Sequence, residues 1–225
     1  MDKPSIASQI SKIQADLPAS VRLIAVTKYV SASEIREAYA AGIRDFAENR
    51  VQDALSKLDQ VADLQDVTWH FIGHLQTNKA KLVLQHFHWI HSVDSLKLAQ
   101  RLNQLAAQMQ LRPRLCLQVK MRPDPHKFGW SPTDLLADLP EVAALSRLDI
   151  CGLMTILPLG LSHDEILETF QATHRLAKGI QEHGDHPLPL TELSMGMSGD
   201  YQLAVQAGAT VVRLGRILFP SLWTP

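Results

Sequence analysis

The chain has only two cysteines in 225 residues, Cys116 and Cys151. Each sits inside an apolar, strand-like segment, and no CxxC or HExxH spacing occurs. The pair therefore suits small buried thiols in a reducing compartment better than a disulfide framework or a metal site. Charge of one sign is also lacking: the formal net charge is −1, with no basic run and no interleaving of aromatic with basic residues. A nucleic-acid partner, whose phosphates call for a basic face, is not expected. No apolar run is long enough to span a bilayer, and the start, MDKPSIASQISKI, lacks the uninterrupted apolar core of a signal peptide. The expectation is a soluble, cytoplasmic protein with no membrane partner. No composition shift, linker or repeat divides the chain, so residues 1–225 read as one domain.

What is present is an alternation of strand and helix signals. Ile6, Ile10, Ile13 and Leu17 fall at helical spacing ahead of Pro18, so a helix precedes the first strand. Strands are expected at 21–27, 43–46, 67–72, 88–91, 115–119, 148–155 and 190–194, and again from Ala209. Between them lie helix signals. Ser31 and Glu34 form a capping box for a helix that Gly42 ends; helices follow at 50–61 and 77–85, and Asp94 caps one running to about Met109. Ser131-Pro132 opens another, and Ser162 with Glu165 caps a helix carrying Ile166, Phe170, Thr173, Ala177 and Ile180 on one face. Eight strands alternating with eight helices, behind a leading helix, read as a single (β/α)8 TIM barrel. An open doubly wound sheet is the competitor that the strand count disfavours.

On a barrel, functional groups stand at the C-terminal ends of the strands, and phosphates favour the loops after strands seven and eight. Residues 190–216, LTELSMGMSGDYQLAVQAGATVVRLGR, read as strand, glycine-rich turn, helix, then a strand ending at Arg213. The amides of Ser198, Gly199 and Asp200 at the helix start, Arg213 and the Gly215-Arg216 turn together suggest a phosphate cradle. Lys28 ends the first strand, and Asn49 and Arg50 follow the second. An amine at an apolar strand mouth, facing an arginine and a phosphate site, is placed to be partly deprotonated and to form Schiff bases. A carbonyl-bearing phosphate such as pyridoxal 5'-phosphate (PLP) fits both ends. A sugar-phosphate barrel without PLP would keep the cradle and leave Lys28 and Arg213 unexplained. His70 and His74 mimic a metal pair, but the strand is expected to end between them and no carboxylate is expected nearby, which favours hydrogen-bonded structural histidines. His86, His88 and His91 alternate around a strand, a weak metal signal, and Met195 and Met197 also suit core packing.

VTK at 26–28, FAENRVQDA at 46–54, WHFIGHLQTNK at 69–79, GLMTI at 152–156 and LSMGMSGDYQLAVQAGATVVRLGRILFP at 193–220 resemble the PLP homeostasis protein family, also called the YggS/PROSC group. The resemblance spans nearly the whole chain, and the wording of the blocks is compatible with a cyanobacterial member. It implies a barrel similar to the N-terminal domain of alanine racemase (fold type III), PLP as cofactor, and a part in vitamin B6 and amino-acid homeostasis without established turnover. It further implies that Lys28 holds PLP as a Schiff base and that Arg213 faces the pyridine nitrogen, keeping it unprotonated and the ring a weak electron sink. Ser198, Gly199, Gly215 and Arg216 would hold the phosphate, and Asn49 and Met195 would line the ring. One stretch departs from the family pattern. Where QVNxxxExxKxG is expected, residues 118–130 read QVKMRPDPHKFGW, with Lys120 for the asparagine and Pro125 in the loop, while Lys127 and Gly129 persist.

Two functions follow from the resemblance. One is a carrier or regulator of PLP that hands the cofactor to apo-enzymes; the other is a PLP-dependent amino-acid racemase. Racemases of this fold pair the lysine with a tyrosine from a partner subunit and carry a second β domain. This chain offers Tyr29, Tyr39 and Tyr201 and no sequence for that domain. The carrier, as a monomer, is the preferred expectation.

Overall fold

The Ser5 hydroxyl accepts from the Ser8 amide and so opens α1 (Ile6–Asp16), whose Ile6, Ile10 and Ile13 are buried on one face. The structure, a computed structural model, describes residues 4–183 and 186–219. After α1 the chain alternates. β1 (Arg22–Val26) leads to α2 (Ala32–Ala40), β2 (Asp45–Glu48) to α3 (Val51–Gln60), and β3 (Thr68–Phe71), through a 3-10 turn Thr77–Lys79, to α4 (Ala80–His86). β4 (Trp89–Val93) leads to α5 (Leu96–Met109), β5 (Arg114–Gln118) to α6 (Pro132–Ala143), β6 (Asp149–Met154) to α7 (His163–His183), and β7 (Glu192–Ser194) to α8 (Tyr201–Gln206) before β8 (Val211–Leu214). The eight strands are parallel and close into a barrel in chain order, with β8 returning beside β1 at Ile24↔Arg213.

Local chemistry explains most boundaries. The Ser31–Glu34 capping box forms in both directions, and Ser131 caps α6 with Pro132 in its first turn. Gly208, at φ +95, turns the chain after α8 into β8. Three expectations change. Ser95, rather than Asp94, caps α5, because its hydroxyl accepts from the Leu98 amide. The helix expected at 77–85 begins as the tighter 3-10 turn. Among the described residues seven helices follow strands, and after β8 the chain makes only a turn at 216–218.

Alternation along each strand sends one set of side chains outward and one inward. Ala25, Phe46, Trp69 and Leu153 face outward into the large core beneath the helices. The lumen holds two small apolar groups, Ile24 with Ala47 and Val211, and Trp89 with Cys116 and Met154. Between them runs a polar chain. Asp45 Oδ1 is 2.9 Å from His70 Nε2, His70 Nδ1 is 2.9 Å from His91 Nε2, His91 Nδ1 is 2.7 Å from Ser194 Oγ, and Arg213 Nη1 donates to Ser194 Oγ at 2.7 Å. Trp89 stacks against both imidazoles, with ring centroids 5.8 and 5.6 Å away. Burial lowers the pKa of His70, against the pull of Asp45, and lowers that of His91 further, aided by His70, Arg213 and Arg22.

β6 and β7 approach too closely for a side chain at Gly152: an added Cβ would stand 2.1 Å from the Glu192 carbonyl oxygen. Gly152→Ala should therefore destabilise the barrel by about 3 kcal/mol or more, read as a lower urea midpoint; an unchanged midpoint would show that the two strands can separate without cost. The two histidines set an acid limit. Their folded pKa values lie below the unfolded value of about 6.5, so the stability they contribute is present above that pH and lost as the pH falls toward their folded values. Urea midpoints should drop between pH 7 and pH 5, and a His70→Gln/His91→Gln variant should show a flatter profile over that range.

Candidate functional site

At the C-terminal mouth of the barrel lies a cavity of about 370 Å3 that takes residues from β1, β2, β3, β6, β7 and β8 or the turns after them. Lys28, half-buried on its rim, stands two residues beyond β1 with Nζ 5.3 Å from the centroid of the Tyr29 ring. The turn that carries it is tied down from below. Thr27 is fully buried and donates through Oγ1 to Glu48 Oε1 at 2.7 Å, while Lys57 Nζ donates to the Thr27 carbonyl at 2.6 Å and to the same Glu48 oxygen. Burial pushes the Glu48 carboxyl up, and the Lys57 hydrogen bond opposes it. A buried ion pair of this kind holds β1, β2 and α3 in register beneath Lys28.

Arg213 forms the floor. It is 3% exposed, donates Nη1 to Ser194 and Nη2 to the Thr155 carbonyl at 2.9 Å, and is pulled down to about 10 by burial, still a cation at neutral pH. Among the described residues no carboxylate comes within ion-pairing distance of it; Asp200 acts on it only through space. A guanidinium has five N–H donors and no acceptor, so donors remain for a ligand in the cavity. A cation buried this deeply without an adjacent anion is not the solvated strand-end arginine of an ordinary barrel.

A second wall is made by the turns after β7 and β8, the latter beside the end of β1. Asp200 Oδ1 accepts from the Met197 amide at 2.6 Å, and Ser198 Oγ accepts from the Ile217 amide at 3.4 Å, which stitches the two turns together. Among the described residues the amides of Ser198, Gly199, Gly215 and Arg216 have no protein acceptor. Such a set of backbone donors beside a buried cation is suited to a phosphate.

Lys28, Asn49, Ser198, Arg213, Gly215 and Arg216 thus share one cavity. Met195 does not line it: the side chain is fully buried in the outer core, and Met197 takes its place on the wall. Gly199 lies beside Ser198 in the turn, off the lining. Val26, Ile72, Gly73 and Ile156 were missed as wall residues. Gly73 carried a readable signal, a glycine directly after a strand. A Cβ there would lie 1.9 Å from the Asn49 carbonyl oxygen, so its absence lets the β2 and β3 ends meet.

The histidine expectation needs one correction. Both His70 and His74 do meet carboxylates, supplied by residues distant in sequence: Asp45 for His70, and Asp94 Oδ2 at 2.8 Å from His74 Nδ1. The unusual loop at 118–130 is pinned at both ends. Lys120 donates its amide to the Trp130 carbonyl and Trp130 returns a bond to the Gln118 carbonyl, while Arg122 reaches Thr169, Glu165 and Glu168 on α7. At its tip Phe128 stacks on His74 with ring centroids 3.6 Å apart.

No helix of the described residues is long and apolar enough to cross a membrane, and no group of three or more metal-binding side chains gathers among them. The model of the alanine racemase N-terminal domain family matches residues 1–221. The chain is 52% identical over 219 residues to a pyridoxal phosphate homeostasis protein of Synechocystis sp., covering 97% of this chain and 98% of that one. It is 41% identical over 226 residues to a protein of the same name from Pseudomonas aeruginosa, covering 96% and 95%. The solved structure of PipY from Synechococcus elongatus with PLP bound superposes with a TM-score of 0.92 at 50% identity, covering 96% of this chain and all of that one. Alanine racemase of Clostridium difficile, at 14% identity and a TM-score of 0.77, shares the fold over 96% of this chain and 56% of the racemase. The chain belongs to the alanine racemase N-terminal domain family and, within it, to the pyridoxal phosphate homeostasis proteins.

Proposed function

We propose that this chain is a single-domain PLP-binding barrel that holds the cofactor at its C-terminal mouth and acts in PLP homeostasis, passing it to apo-enzymes of the cytoplasm, without a turnover of its own. The observation that carries the reading is the buried Arg213 at the foot of a cavity whose rim bears Lys28. When bound, PLP supplies an aldehyde that an amine captures as a Schiff base and a ring that can accept electrons. Lys28 provides the amine. Arg213, which can only donate, requires an acceptor at the pyridine nitrogen and so favours its unprotonated form. The free amides around Ser198, Gly199, Gly215 and Arg216 take the phosphate, and Asn49 lies along the ring.

The same geometry disfavours a racemase. Tyr39 donates its hydroxyl to Asp66 at 2.6 Å on the outer surface, Tyr201 is buried in the core, and Tyr29 is 62% exposed. Among the described residues none of these tyrosines lines the cavity, so the chain does not itself place a tyrosine proton donor across from Lys28. The monomeric state belongs to the same proposal.

Purified protein should absorb in the visible, and borohydride reduction followed by peptide mapping should place the adduct on Lys28. A colourless protein that takes up no added PLP would sink the assignment. Pyridoxal without its phosphate should bind roughly 100-fold more weakly or worse, since charge-assisted hydrogen bonds contribute about 1.5–3 kcal/mol each. Incubation with a panel of L-amino acids should yield no D-isomer beyond one equivalent; multiple turnovers would make the chain an enzyme.

A further inference from the structure

The polar chain through the lumen has two ends of opposite character. At the cavity floor Arg213 can only donate, and at the opposite mouth the Asp45 carboxylate can only accept. Asp45 has a side chain 23% exposed and borders a separate surface hollow with Arg44 and Gln14. The groups between can each pass a hydrogen bond on, and the ends dictate its direction. His70 donates from Nε2 to Asp45. With the imidazoles neutral, His70 Nδ1 then accepts, so His91 donates from Nε2; His91 Nδ1 accepts in turn, so the Ser194 hydroxyl donates to it and receives Arg213 with its oxygen. Every contact is between 2.7 and 2.9 Å, and every donor meets an acceptor. Burial of both rings and the nearby Arg22 keep them neutral, as this arrangement requires.

We propose that Asp45, His70, His91 and Ser194 form a one-directional hydrogen-bond relay that positions Arg213 as a donor to the cavity and couples the cavity floor to the far mouth of the barrel. Asp45 then fixes the accepting end of the chain, while the carboxylate that acts on Arg213 through space is Asp200. A change at Asp45 alters which nitrogen of His91 carries its proton, which way the Ser194 hydroxyl points, and therefore how Arg213 is held. The four are positioning residues. The inference rests on the proposed cofactor site only for what Arg213 donates to.

Histidine-selective nitrogen-15 labelling of the full chain, free of cofactor, tests the relay directly. At pH 7.5 His70 and His91 should each show the neutral Nε2–H tautomer. Asp45→Asn, which keeps the shape and removes the charge, should shift the His91 ring nitrogens although the two residues do not touch. Ser194→Ala should free the His91 tautomer, and Ser194→Thr should restore it. In PLP-loaded protein Asp45→Asn should also weaken binding about 3- to 10-fold or move the visible band. A His91 protonated on Nδ1 in the unaltered chain overturns the stated direction, and His91 signals unmoved by Asp45→Asn overturn the coupling. Because the nitrogen measurement uses cofactor-free protein, a failure of the PLP assignment would leave its outcome intact, and a failed relay would leave the borohydride adduct on Lys28.

Discussion

A guanidinium buried at the floor of a cavity is the constraint to which the rest of this barrel answers. Taking a cation out of water costs several kcal/mol unless polar partners replace the solvent. Arg213 receives two such partners from the protein, Ser194 and the Thr155 carbonyl, and lines the cavity with donors to spare. The lumen is therefore not the layered apolar filling typical of the fold. Its apolar residues form two separate groups, with the chain from Asp45 to Ser194 between them. Position on β8 gives Arg213 its place, and Ser194 on the adjacent β7, backed across the lumen by His91 on β4 and His70 on β3, supplies what makes that place tenable.

The division of labour around the mouth follows from the same geometry. β1 carries the amine on a turn that a buried Lys57–Glu48 pair clamps, so Lys28 has a fixed base. β7 and β8 carry the anion-binding amides on two turns joined through Ser198 and Ile217. Arg213, on β8 itself, lines the same cavity as both. The fold shared with alanine racemase takes in 96% of this chain and 56% of the racemase.

Much of this was legible in the sequence, and the reason differs from element to element. Ser31 with Glu34, and Ser131 before Pro132, are local chemistry: the groups that form the cap lie within four residues of each other, so the reading survives folding unchanged. Lys28, Arg213 and the glycine turns were legible because strand ends in a barrel converge whatever fills the loops between them. Met195 and Met197 could not be told apart, because a turn of undetermined geometry decides which of two methionines faces the cavity. The carboxylates of His70 and His74 were invisible for a different reason. Asp45 and Asp94 are 25 and 20 residues away along the chain, and the lumen polar chain exists only once five strands have been placed in register.

The polar lumen also decides what it means to inherit this site. A transplant that moved only the cavity lining onto another barrel, taking Lys28, Ser198, Gly215 and Arg213, would deliver the cation into a lumen of leucines and valines. There it would have no serine to meet and no histidine pair behind that serine to hold its hydroxyl. The unit that descends intact, by evolution or by engineering, is larger than the surface a ligand touches, and it includes Asp45, which opens onto the other end of the molecule.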